Sequence, residues 1–114
     1  MDQREKRMAQ NEALFREVNE RIKATADELR TDIDFEYFCE CANADCTFQI
    51  SLTAAEYEHI RSDPTQFVVL PRHFTPEVET LVGENKAYWI VRKTGDAGEY
   101  VEKLDPRSRQ QSQA

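Results

Sequence analysis

The sequence predicts an α+β fold: a long N-terminal helix followed by a small antiparallel β body that carries two short helices. Three observations lead there. Residues 2–31 contain neither Gly nor Pro and are rich in strong helix formers. From residue 33 onward the apolar pattern switches to period two, the spacing of a strand. All three cysteines of the 114-residue chain fall in one short stretch, FCECANADCTF, residues 38–48, which ties the first two strands into a single feature.

The N-terminal segment, residues 1–31, reads as an amphipathic helix. Alternate steps of three and four select Met8, Asn11, Phe15, Val18, Ile22, Thr25 and Leu29. This is a heptad seam interrupted by two polar residues, and Leu14 widens it. Such a seam either docks on its own domain or pairs with a second copy in a coiled coil. A helix of ~30 residues would be ~45 Å long. It is expected to outreach the small body, so that part of it projects or meets another chain.

After Asp32, Ile33, Phe35, Tyr37, Cys39 and Cys41 alternate with Asp34, Glu36, Phe38 and Glu40. TFQISL, residues 47–52, is a second strand with Phe48, Ile50 and Leu52 on one face. The intervening ANAD is turn-prone, so the cysteines sit at a hairpin tip. TAAEYEHIRS follows as a helix. Thr53 and Glu56 have capping-box spacing, and Ala54, Tyr57 and Ile60 face inward. FVVL, residues 67–70, is a short apolar strand, and PRHF a turn. TPEVETLV predicts a second short helix: Thr75 caps it, Pro76 takes its first position and Gly83 ends it. KAYWIVRK, residues 86–93, is a strand in which Tyr88 and Trp89 face opposite ways. TGDAG is read as a turn, and EYVEKL, residues 99–104, as the hairpin partner of that strand. DPRSRQQSQA, residues 105–114, reads as a disordered tail. The domain organisation is thus a helix over 1–31, an α+β domain over 32–104 and a tail over 105–114.

The bulk composition narrows the function. The net charge is −7, with no basic stripe of interleaved aromatics, which argues against nucleic acid and leaves a protein partner. No apolar run approaches the ~18 residues of a membrane span, and the first residues lack a signal core. A cytoplasmic location is expected, where thiols stay reduced and clustered cysteines favour metal or redox chemistry. A small core is marginal without a staple. With only three glycines, phosphate-cradling loops are not expected, and no Walker, HExxH or GxSxG motif appears.

Side chains at i and i+2 of a strand point the same way, so Cys39 and Cys41 present two sulfurs on one face, with Glu40 pointing off it. The hairpin returns Cys46 beside them. Three thiolates at one point suit Zn2+, with Zn–S bonds of ~2.3 Å and a tetrahedral fourth ligand. His73, in the turn after a strand, is the leading candidate for that ligand. His59, Asp45 and a water are alternatives. The competing readings are three small buried apolar residues and a Cys46–His73 nucleophilic pair. Neighbours at i and i+2 are badly placed for a disulfide.

NEALFREVNERI, FCECANADC, EYEHIRSDPTQFVVLPRH, PEVE and VRKTGDAGEYVEKLDPR resemble a family of small bacterial proteins. The family is most common in actinobacteria, and its members are usually labelled hypothetical. The resemblance covers residues 11–107. Its most specific pieces are C-E-C-x4-C and D-P-x-x-F-V-V-x-P-x-H. Carried onto this chain they mark Cys39, Cys41, Cys46 and His73, and the position of His59 is not part of the pattern. The resemblance implies a site and no activity.

The function expected from the sequence is a non-enzymatic zinc-binding interaction or regulatory module. Its structural Cys3His site would staple the hairpin to the 71–73 turn, and its partner would be a protein or a second copy met through the N-terminal helix. One alternative is a redox- or zinc-responsive thiol switch. Another is a small zinc enzyme in which water replaces His73 at an open position.

Overall fold

Asp2 starts the first helix by accepting the backbone N–H of Glu5 at 2.8 Å, and α1 then runs Gln3–Glu28. The computed structural model describes residues 1–30 and 32–111. The predicted helix end at Thr31 and the last three residues of the predicted tail lie outside the described residues. After α1 come β1 (Phe35–Phe38), β2 (Gln49–Leu52), α2 (Ala54–Arg61), β3 (Gln66–Val69), β4 (Glu79–Glu84), β5 (Trp89–Lys93), α3 (Gly95–Lys103) and α4 (Pro106–Gln111). β1 and β2 form an antiparallel hairpin with Phe35 opposite Leu52 and Phe38 opposite Gln49. β3, β5 and β4 form an antiparallel sheet in that order. The architecture is α+β, as the sequence predicts. Among the described residues no helix is long and apolar enough to cross a membrane.

The hairpin and α2 follow the sequence signals closely. The Thr53–Glu56 capping box is formed in both directions, and Ala54, Tyr57 and Ile60 are buried. Ile50 and Leu52 point inward, whereas Ile33 and Phe48 at the strand margins are exposed.

Three segments depart from expectation. The helix predicted over 75–82 is a single turn that becomes β4. Its start signal is satisfied locally: the N–H groups of Val78 and Glu79 reach the Thr75 carbonyl, and the Glu79 carboxylate accepts the Thr75 N–H at 2.7 Å. Beyond that turn, pairing with β5 takes over, with Glu79 opposite Lys93, Thr80 opposite Arg92 and Leu81 opposite Val91. A tertiary ladder here overrides a local helix preference. Residues 99–104 are not a strand, because β3 and β4 already flank β5 on both edges. They form α3 instead, with Ala97 and Val101 buried four residues apart. Gly98 permits its close approach to the sheet, since a Cβ there would lie 2.9 Å from the Lys93 carbonyl oxygen. The predicted tail contains α4 over 106–111. Asp105 accepts the Arg107 N–H at 2.9 Å and pairs with Arg61 at 2.5 Å, while Arg107 bridges Glu20 and Glu58.

The docking face of α1 is rotated from the predicted seam. Its buried residues are Ala9, Glu12, Ala13, Arg16, Asn19 and Ala26, packed against β1, α2 and α3. Leu14 and Leu29 remain exposed, at 60% and 63%. Three alanines let the helix approach closely, and several polar residues beside them reach partners in other elements. The Arg16 guanidinium donates to the carbonyls of Pro64 and Val101 at 2.6 Å each and lies over the Phe67 ring. The Asn19 amide grips the backbone of Phe38 twice, donating to its carbonyl and accepting its N–H, both at 2.8 Å. Asn11 donates to the Ala42 carbonyl. The helix, ~39 Å long for its 26 residues, meets the body at positions along its length, from Lys6 over the Tyr100 ring through Ala9 to Ala26, both fully buried.

Glu12, Glu79 and Lys93 meet inside, all buried. The Lys93 ammonium lies 2.6 Å from Glu12 and opposite Glu79 across the β4–β5 ladder. Burial, and then the neighbouring Glu79 carboxyl, raise the Glu12 pKa well above the ordinary carboxylate value, and Lys93 offsets this only in part. A carboxyl raised in the folded state lends stability below its unfolded pKa and loses it as pH climbs through the folded one. Glu12→Gln is therefore expected to flatten the decline in stability above the ordinary carboxylate range. Urea melts of both proteins at a series of pH values check this, and parallel pH profiles would contradict it.

Candidate metal centre

The hairpin hydrogen bonding continues past β1 and then changes partner. The Cys39 N–H donates to the Phe48 carbonyl at 3.0 Å, and the next N–H, of Glu40, donates to the Val68 carbonyl at 2.8 Å. The chain thus crosses from one sheet to the other between adjacent residues, with Cys39 and Cys41 flanking Glu40. The return is set by Asn43. Its side chain accepts the Asp45 N–H at 3.0 Å, and its carbonyl accepts the Cys46 N–H at 3.1 Å. This closed turn brings the third cysteine back.

His73 arrives from the loop after β3. Its N–H donates to the Leu70 carbonyl at 3.0 Å, with Pro71 second in the turn and Arg72 third at φ 72°. This is the pattern of a type II turn, which favours Gly at its third position. An arginine held there costs about 1 kcal/mol.

The two loops converge. One ligand atom from each of Cys39, Cys41, Cys46 and His73 lies within 4.8 Å of all the others. The His73 Nδ1 is 3.5 Å from the Cys39 sulfur and 3.7 Å from the Cys46 sulfur. In a tetrahedral zinc site the S···N edges are roughly 3.5 Å, so the donor set fits such an ion. The three cysteines are buried as free thiols and His73 is half-buried. The Leu70 N–H donates to the Cys39 sulfur at 3.2 Å, the kind of backbone contact that steadies a thiolate. Hydrogen bonding and burial move the three thiols apart in acidity. Cys41 is lowered to about 5, first by a hydrogen bond from Cys39 and then, against the cost of burial, by His73 and the Asn43 backbone. Cys39 is raised, by that same bond and by burial. Burial raises Cys46.

The structure thus brings together all four residues that the sequence singles out. His59 and Asp45 are exposed and stand outside the cluster.

The sequence gives no hint of the role of Glu40. It does point off the sulfur face, but into the interior, where it is fully buried. Its carboxylate accepts the Val68 N–H at 3.0 Å, the Asn19 amide at 2.9 Å and the Tyr57 hydroxyl at 2.5 Å. Burial raises its pKa while these three donors hold it down. Tyr57 stacks on Tyr37, ring centroids 4.7 Å apart. Period-two alternation fixes which way Glu40 points, and only the fold decides that protein lies there instead of water.

Comparison with protein-family models, curated proteins and solved structures returns no match.

Glu40→Gln keeps the shape but sets an amide against donors from Asn19 and Tyr57. The expected cost is roughly 1–3 kcal/mol, read as a lower denaturation midpoint. An unchanged midpoint would contradict the role of the charge.

Proposed function

We propose that this chain is a non-enzymatic, zinc-binding interaction module with a closed structural Cys3His centre. The convergence of three cysteine sulfurs and the His73 Nδ1 within 4.8 Å carries this reading. Thiolate and imidazole donors in a tetrahedral arrangement suit Zn2+ above harder ions. The protein itself supplies four donors, which is the character of a structural site, whereas a catalytic one keeps a position open. Glu40, the carboxylate between two ligands, is turned away and occupied by three donors, so it is not placed as a base beside a metal-bound water.

When bound, zinc would join the 39–46 hairpin to the 70–73 turn. In so small a domain that binding free energy adds to folding. The two loops then present a fixed surface. Phe48, 64% exposed, stands edge-on to the His73 ring and offers an aromatic contact of the kind enriched in interfaces. A protein partner suits this surface. The exposed Leu14 of α1 and Leu29 just past its end give a second copy of the chain a separate place to meet.

Elemental analysis of reduced protein purified without a histidine tag tests the centre. About one zinc per chain is expected for the wild type, with marked loss in His73→Ala and Cys39→Ser together with a lower melting temperature. Wild-type protein free of zinc would overturn the reading. Full occupancy in well-folded His73→Ala would replace the closed site with an open one.

A further inference from the structure

A cavity of about 440 Å³ opens beside the metal centre, where the start of α1 meets the two loops. Arg4 and Met8 line it from α1, Cys41 from the hairpin, and Arg72, His73 and Phe74 from the second loop. Its size falls in the range of small-ligand sites.

Two of these groups lack acceptors. His73 turns its Nδ1 to the sulfurs, so with a metal there the ring proton sits on Nε2. A metal-binding imidazole almost always passes that N–H to a carboxylate, a carbonyl or water. Among the described residues no protein group takes it. The Arg72 guanidinium, on an exposed residue at the rim of the cavity, likewise has no protein partner among the described residues. Arg4 has only a loose, exposed pairing with Glu77 at 3.5 Å.

We propose that this pocket binds a carboxylate, received by the His73 Nε2–H and the Arg72 guanidinium, with Arg4 as a second cation and Met8 and Phe74 as the apolar wall. The proposal rests on the zinc reading above, since the metal fixes the ring tautomer. Arg4 already faces Glu77, so among the described residues at the pocket Arg72 is the cation without a carboxylate partner, and a monoanionic carboxylate matches its single charge better than a dianionic phosphate. The carboxylate belongs either to a free organic acid or to the C-terminus of a peptide.

The test uses the zinc-loaded full chain and follows the His73 ring and Arg72 side-chain resonances by NMR. The probes are phenylpropionate, the peptide Ala-Ala-Phe, its C-terminal amide and inorganic phosphate. Saturable shifts with the free carboxylates and none with the amide are expected, and the tighter of the two acids names the source. Arg72→Gln should retain zinc and weaken the acids roughly tenfold or more. The proposal is overturned by equal binding of the amide, by tighter binding of phosphate, or by an Arg72→Gln variant of undiminished affinity. Zinc-replete protein that ignores both acids overturns this inference alone. Protein with no zinc at all removes the centre, and this site with it.

Discussion

A single charged side chain between two cysteines constrains much of the molecule. Because Cys39 and Cys41 must share a face, Glu40 must take the other. That other face is interior, and an unpaired buried carboxylate there would be severely destabilising. The fold answers with one donor from each of three elements: Asn19 of α1, Tyr57 of α2 and the Val68 N–H of β3. The sulfurs on one side and the carboxylate on the other are therefore positioned by the same three residues of backbone. A change that rotates this segment would misplace both sets of contacts together.

The helix α1 extends the same logic. Its interface consists of small residues that allow close approach and polar residues with specific acceptors, with few large apolar side chains. Arg16 reaches two carbonyls and an aromatic ring, and Glu12 meets Lys93. Polar contacts of this kind discriminate strongly between registers, because a shift along the helix would leave each group unpaired in the interior. An apolar stripe tolerates sliding far better.

This explains what could be read from the sequence and what could not. The cysteine cluster with His73 was legible because its determinants are local: a two-residue repeat, a four-residue turn and a proline turn after a strand. The capping box of α2 was legible for the same reason. The face of α1 was legible in part: the seam residues Ile22 and Asn11 do meet the body and Leu29 does not, whereas much of the docking is carried by Glu12, Arg16 and Asn19, which no apolar pattern marks. The turn at Thr75 carried genuine helix-start chemistry, yet pairing with β5 decided its fate. The fate of residues 95–103 depended on both edges of β5 being taken, a fact of topology beyond the reach of any local window. The helix over 106–111 depended on Arg107 finding Glu20 and Glu58, which are distant in sequence.

The double grip of Asn19 on Phe38 also concerns the open side of β1. β1 pairs with β2 along one edge only. At Phe38 the amide side chain stands in for a neighbouring strand, matching one backbone donor and one acceptor. A free strand edge is a template on which another chain can add, and this one lies in a stretch rich in aromatic residues, FEYF. The helix is thus also a guard against self-association by strand addition. Its detachment would expose an adhesive edge next to the three cysteines.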